Sequence, residues 1–345
     1  MIPLSACQEK LPEVDIVILN WNGWRDTVEC LASLNEIDYS NTRIIIVDNN
    51  STDDSVKEIM KYAEEKLKVG SPSLIDLEKD RSLAVDSSRR GIENCRKHQI
   101  PNESPAERFL IIRSKVNLGF AEGNNVAIRY ALKKHSADYV LMLNNDVVVD
   151  RDFLKELVRI AGTSGEIGIV GSTIYYYDMP DVINFAGEDI TLWKAKGTRY
   201  TNHVPFPQQT DKVDGACMLI KRDVFQKVGL LDNNFFMYWE ETDFCQRAKK
   251  KGYKVVYVPA SRIWHKIAAS IGGLNSHNRL FYLSRNRFLF VKKNVKGLKK
   301  ILFLGYFFSW DIWLSMGAFL KSHNPKALAT FIVGSLEGLR LLMRV

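Results

Sequence analysis

This chain predicts an α/β fold, a mainly parallel sheet flanked by helices, on three observations. Apolar runs of strand length alternate with segments of helical periodicity through the first half, and that alternation means parallel strands joined by helices. The early strands all stop at polar residues, and the carboxyl ends of parallel strands are where such sheets place their ligands. The composition, 46% hydrophobic and 26% charged over 345 residues, describes a globular chain. That length holds one large α/β domain with extra elements, or two small domains.

Taken in order, DIVILN (15–20) reads as a buried strand, and Trp24, Val28, Leu31 and Leu34 then recur at helical spacing. RIIIVDNN (43–50) is a second strand. Ser51, Asp53 and Asp54 mark the start of a helix whose apolar face is Val56, Ile59, Ala63 and Leu67. Residues 68–108 lose this pattern and read as an insertion. RFLIIR (108–113) resumes as a third strand, GFAEGNNVAIRYALKK (119–134) as a helix, and YVLMLNND (139–146) as a fourth strand. In the second half GIVGSTIYYY (168–177), GACMLIKR (215–222) and YKVVYVP (253–259) read as strands. EETDFCQRAKKKG (240–252) reads as a helix closed by Gly252. Neither GxGxxG after the first strand nor GxxxxGK[ST] occurs, so a dinucleotide fold and a P-loop are unsupported.

Five scattered cysteines, Cys7, Cys30, Cys95, Cys217 and Cys245, contain no CxxC pair. They fit a reducing compartment rather than a disulfide framework or zinc site. The N-terminus lacks a basic region followed by a long apolar run, so no signal peptide is expected. Charge is unevenly placed. Residues 285–345 hold 11 Lys/Arg against 2 Asp/Glu, and the preceding 284 residues hold 37 against 38. The basic balance therefore belongs to the tail, which is also the most apolar region. That combination suggests an anionic membrane surface rather than nucleic acid.

The most informative segment is 139–150, where five apolar residues stop at Asn144-Asn145-Asp146. Burying that triplet unpaired would cost several kcal/mol. A strand end facing a ligand explains it, with the lone carboxylate as a cation anchor, and so does a simple turn. Asp48 ends the second strand where a ribose or base could be bound, or where it would only cap the next helix. The loop 116–125 sets two glycines and three amides before a helix, allowing close backbone approach to a nucleotide.

The ordered set ILNWNG, VDNNSTDDS, NLGFAEGNN, LMLNND, DGACMLIKRDVF, YWEETDFCQR and WHKIAAS resembles the family 2 glycosyltransferases. The likeness is strongest to their rhamnosyltransferase-like branch. The resemblance covers roughly residues 15–286 and implies the GT-A fold, with inverting transfer of a sugar from a nucleotide-diphosphate donor. It assigns Leu19, Asn20, Asn22, Asp48, Asn50, Asn117, Gly119 and Asn124 to the nucleotide. Asn144-Asn145-Asp146 stands where the family carries its DXD motif, so Asp146 would bind a divalent cation, Mg or Mn. Asn144 replaces the first acid of that motif, which puts a two-carboxylate metal site in doubt, although one carboxylate plus phosphate oxygens suits magnesium.

In YWEETDFCQR the resemblance places Glu241 as general base, with Glu240 and Asp243 beside it. First-turn carboxylates favoured by the helix dipole are the alternative reading for part of this set. His265 would complete the metal site, or be structural. Gly215-Ala216 would let the donor sugar approach backbone, Arg285 of the Tyr282…Arg285-Asn286 pattern would touch the diphosphate, and Trp239 would stack on an acceptor sugar or fill the core.

Residues 301–320 are long enough for one membrane span, but Asp311, Trp310 and Trp313 crowd their middle. In-plane amphipathic helices are favoured, with the five lysines of 292–300 at anionic headgroups. Packing on the catalytic domain, or on a second subunit in a homodimer, is the alternative. The expected organisation is thus a domain over 1–284 and a helical tail over 285–345. The expected protein is cytoplasmic and peripheral on the inner face of the plasma membrane, with a saccharide or lipid-linked saccharide as acceptor. The rival readings are a non-catalytic nucleotide-sugar-binding relative and a sugar nucleotidyltransferase; for the latter, NWNGWRDT (20–27) lacks the glycine-rich basic loop.

Overall fold

The computed structural model describes residues 11–67, 72–79, 83, 108–266, 276–321 and 324–344. The start of the chain, most of the 68–108 excursion and the IAAS end of the WHKIAAS motif lie outside the described residues.

The first half alternates as its apolar runs dictate: β1 (Val14–Asn20), α1 (Trp24–Leu34), β2 (Thr42–Asn49), α2 (Ser55–Lys66), β3 (Ser73–Asp76), β4 (Phe109–Ser114), α3 (Gly119–Lys134) and β5 (Tyr139–Asn144). A short β6 (Val147–Val149) and α4 (Phe153–Gly162) lead to β7 (Ile167–Tyr176), β8 (Ile183–Phe185), β9 (Glu188–Thr191), β10 (Lys196–Arg199) and β11 (Gln208–Thr210). Then come β12 (Cys217–Lys221), α5 (Arg222–Val228), α6 (Glu240–Lys250) and β13 (Lys254–His265).

The main sheet runs β11-β13-β7-β12-β5-β1-β2-β4-β3. Its half from β5 to β3 is entirely parallel, whereas β12 enters antiparallel between β5 and β7. Register sets Asn20 level with Asp48 and Leu19 level with Asn144, so three polar strand ends share one edge. Strand alternation sends Ile16 and Ile18 to one apolar layer, with Leu141, Leu143 and Phe153. Val17 goes to the other, with Val47, Met142, Ala127 and Ile128. The parallel strands are buried on both faces, as their unbroken apolar runs require. Reading the sequence did not find β6 or β8–β11, which are three or four residues long and too short to show a period.

The tail continues the fold. α7 (His277–Asn294) runs unbroken through positions 284 and 285, followed by α8 (Leu298–Tyr306), a π-helical turn over Phe307–Asp311, α9 (Ile312–Lys321) and α10 (Pro325–Met343). Phe288, Phe290, Phe303 and Phe307 form a third apolar cluster with Phe235 of the preceding domain. α10 lies close along α7, since a Cβ at Gly334 or Gly338 would come within 2.7 Å of the Phe281 or Arg285 carbonyl. Among the described residues no helix is long and apolar enough to cross a membrane. Asp311, an obstacle to a span in the sequence, is buried in an ion pair with Arg287 and accepts a 3.2 Å hydrogen bond from the Tyr306 hydroxyl. One side of the tail is therefore packed, as the alternative reading required. The other side is open: Leu298, Ile301, Leu302, Trp310, Trp313 and Leu314 are exposed.

Candidate active site

The polar ends of β1, β2 and β5 are joined by a hydrogen-bond chain. Asn145 donates to the Thr27 hydroxyl at 3.1 Å, Thr27 donates to Asn20 at 2.9 Å, and Asn20 donates to Asp48 at 2.9 Å. Asp48 accepts a second bond from the Ser51 amide at 3.2 Å. Asn20, Thr27 and Asp48 are almost fully buried, so this chain is fixed by the interior rather than by solvent. Asn20 also donates to Ser51 and thereby orients Asp48. Asn22, at φ +50, caps the next turn by accepting from the Thr52 amide at 2.7 Å, and Asn50 also has positive φ.

The Asn117–Gly119 loop is tied down by Asn49, which donates to Asn117 at 3.1 Å and accepts from the Leu118 amide at 2.8 Å. Gly119, at φ +75, is required where it stands: a Cβ there would lie 2.6 Å from the Phe236 carbonyl oxygen. That carbonyl also accepts from the Phe120 and Ala121 amides, so the first turn of α3 is capped by protein. Asn124 is buried and bonds the Phe120 carbonyl, and Leu19 packs against Gly123. Thr27 and Asn49 are tied to Asn145 and Asn117, which lie far away along the chain.

Asp146 lies at the turn after β5 and accepts from His265 Nε2 at 3.0 Å. β13 carries His265 there, and the Lys266 amide donates to the Asp146 carbonyl at 3.0 Å. Burial alone would raise the Asp146 pKa, but the His265 charge and hydrogen bond outweigh it and hold the carboxyl below its ordinary range. Burial would lower the His265 pKa, and Asp146 reverses that. Among the described residues no group of three acidic, His or Cys side chains forms a metal cluster. One carboxylate and one imidazole fit the protein share of a site completed by ligand oxygens and water. Asn144 approaches His265 at 3.5 Å through its side chain.

These residues open on a cavity of about 910 Å³ that is also lined by Gly215, Ala216, Trp239, Glu240 and Glu241. Glu241 Oε1 accepts from Lys212 Nζ at 2.9 Å, while among the described residues Oε2 has no hydrogen-bond partner. Burial, then the neighbouring Glu241, pushes the Glu240 carboxyl well above its usual range, and its buried Oε2 is unpartnered. Asp214, which the sequence reading left unassigned, lines the same cavity. Burial raises its pKa, but Lys212 and Arg199 outweigh this and depress it.

The two glutamates are presented by an unusual backbone. Phe236, Tyr238 and Trp239 all have φ between +60 and +78, which is costly for bulky residues. Asn286, fully buried on α7, offsets this by donating to the carbonyls of Phe235, Met237 and Tyr238 at 2.6, 2.8 and 3.1 Å. Trp239 packs at a tilt against Phe290, ring centroids 5.0 Å apart, so it joins the tail cluster while still lining the cavity.

The residues expected at the nucleotide, Leu19, Asn20, Asn22, Asp48, Asn50, Asn117, Gly119 and Asn124, do not line this cavity, and neither do Asn145, Asp243 and Arg285. Asp243 is buried between Arg247 at 2.6 Å and Asn294 at 2.7 Å. Arg285 bonds the Asn234 carbonyl and Asn286 and borders a separate groove with Tyr282, which stacks on Phe236.

The sequence profile of a family described as glycosyltransferase like family 2 matches residues 12–279. Agl10 of Haloferax volcanii, a hexosyltransferase of low-salt glycan biosynthesis, is 29% identical over 188 residues, 52% of this chain and 58% of that protein. The Shigella flexneri dTDP-rhamnosyl transferase RfbF is 27% identical over 195 residues, 52% of this chain and 61% of that protein. The chain thus spans less than two thirds of either relative. A solved mannosyltransferase from Pyrobaculum calidifontis, in complex with GDP-Man and Mn2+, shares the fold at a TM-score of 0.58 and 15% identity. That likeness covers 96% of this chain and 88% of the other. The chain belongs to the family 2 glycosyltransferases, as its motifs implied, and its relatives include the rhamnosyltransferase branch.

Proposed function

We propose that this family 2 glycosyltransferase moves a hexose from a nucleotide-diphosphate donor to a saccharide or lipid-linked saccharide, with inversion, and that rhamnose from a dTDP donor is the first candidate. The observation that carries this reading is one cavity that has Asp146 with His265 on its sheet side and the open oxygen of Glu241 on its helix side. A leaving group and an attacking hydroxyl need such opposed anchors. The kinship with RfbF supports the sugar.

Asp48, oriented by Asn20, and the Asn117–Gly119 loop would hold the nucleoside, and Gly215-Ala216 would admit the sugar. Asp146 and His265 would hold Mg or Mn, which when bound offsets charge on the departing diphosphate. Glu241 Oε2 takes the proton as the acceptor hydroxyl attacks the anomeric carbon and the bond to the diphosphate oxygen breaks. One displacement completes the transfer, so no covalent enzyme intermediate is required. The exposed apolar side of α8 and α9, next to Lys299 and Lys300, supports seating on an anionic bilayer at the inner face of the plasma membrane. A lipid-linked acceptor would reach the cavity from there.

The test is release of nucleoside diphosphate from a panel of nucleotide sugars with Mg or Mn. Release abolished by Glu241→Gln and by Asp146→Ala is the expected result. Full activity in both variants would overturn the assignment. For the tail, sedimentation with phosphatidylglycerol vesicles should fall sharply in a Trp310→Ser/Trp313→Ser variant, and unchanged binding would remove the membrane face.

A further inference from the structure

We propose that Lys212 is the positioning residue of the base: its ammonium fixes Glu241 through one oxygen, leaves the other for the acceptor, and is itself shared with Glu188 so that the base is not over-stabilised as its anion. This rests on the reading of Glu241 as base and adds to it.

Lys212 lies between β11 and β12 and is only 8% exposed, an uncommon place for an ammonium without an assigned task. Nζ reaches Glu241 Oε1 at 2.9 Å and Glu188 Oε2 at 3.1 Å. Thr242 Oγ1 lies 3.4 Å from the same Glu241 oxygen, so Oε1 is engaged twice and Oε2 not at all among the described residues. Glu188 is fixed from both ends. Its carbonyl accepts from the Lys212 amide at 3.1 Å, and its carboxylate lies where any Cβ at Gly197 would overlap it. Gly197 on β10 thus makes room for Glu188, which holds Lys212, which holds Glu241.

The charge arrangement explains why two carboxylates are used. A lysine paired to Glu241 alone would stabilise the carboxylate and weaken it as a base. Glu188 draws on the same cation, and when Glu241 Oε2 accepts the acceptor proton, the Lys212–Glu188 pair remains. Lys212 keeps its own protons throughout. Burial would lower its pKa, but Glu241, then Glu188 and Asp214, reverse this and raise it. The other titratable groups facing Glu241 are Glu240 and Cys245 on α6 and Tyr238 in the preceding loop.

The experiment is the pH profile of nucleoside diphosphate release, using the fastest of a panel of dTDP-, UDP- and GDP-sugars with Mn. Lys212→Met should move the acid limb of kcat/KM up by about one pH unit, and Glu188→Gln should move it down. Gly197→Ala, whose Cβ would push the Glu188 carboxylate off Lys212, should follow Glu188→Gln. Lys212→Arg should restore most of the turnover. Limbs that stay put, or move together, overturn the inference. A second readout needs no turnover: the melting-temperature deficit of Lys212→Met should grow from pH 5 to pH 8, as Glu188, Asp214 and Glu241 face one another without a cation. A deficit constant with pH overturns it too. If Glu241→Gln is inactive while the limbs do not move, only the role of Lys212 fails. If Glu241→Gln stays active, the base assignment fails first.

Discussion

The two sides of the cavity are built differently. The sheet side rests on register: β1, β2 and β5 are parallel, level and buried, so their polar ends form one hydrogen-bonded chain from Asn145, which sits between the cavity-lining Asn144 and Asp146, to Asp48. The helix side is held against its own backbone preference, with three aromatic residues at positive φ secured by Asn286 from α7. None of the hydrogen bonds in the sheet-side chain comes from the tail. The helix side is incomplete without it, so a region that looks like an appendage is part of the cavity wall.

Substitutions can break this contrast at either side. The largest effect should come from Glu241→Gln, where loss of a general base costs about 10²–10⁴-fold in kcat with donor affinity little changed; titration of donor binding beside turnover checks it. Asn286→Ala should come next. It removes the side-chain donor from three carbonyls, of which Phe235 keeps the Met237 amide, and leaves the positive-φ stretch unsupported, so kcat should fall by about 10²-fold while donor affinity holds. Donor affinity falling as much as kcat would erase the distinction between the two sides. Thr27→Val is the mirror experiment. It keeps the shape but leaves Asn20 Oδ1 without its donor and Asn145 Nδ2 with only the Gly23 carbonyl, so donor affinity should drop about tenfold and kcat less, by calorimetry and kinetics together.

The smallest effect concerns Glu240. In the folded chain burial and Glu241 keep it protonated well above its usual range, while in the unfolded chain it ionises near pH 4.3. Its favourable contribution is therefore complete below that unfolded value and lost as pH rises toward the folded one. Glu240→Gln has no such loss. Its melting temperature should match wild type near pH 4 and exceed it by about 2–5 °C at pH 8 in a thermal scan; a constant offset would remove the buried-acid reading.

How much of this was legible in the sequence follows the same division. β1, β2, β4 and β5 announce themselves because a strand buried on both faces must be a continuous apolar run, and Asp48 and Asp146 stand where those runs stop. Thr27 and Lys212 do not announce themselves, and Asn286 shows only as the neighbour of Arg285. Their meaning lies in partners 7, 24 and 49 residues away, such as Asn20, Glu188 and Met237, and nothing local marks such a pairing. The tail was legible as basic and apolar but not as to which side packs, because Phe303 and Phe307 look no different in sequence from exposed Phe308. Asp311 read as an obstacle to a membrane, whereas its partner Arg287 lies 24 residues earlier.

The bonds from Asn286 and Asn294 back to the 235–243 stretch have a practical meaning for protein engineering. A chimera that swaps acceptor preference between relatives by joining chains at 284/285 would cut α7 and part Glu241 from its support. A graft that keeps Asn233 to Asn294 together leaves those bonds intact.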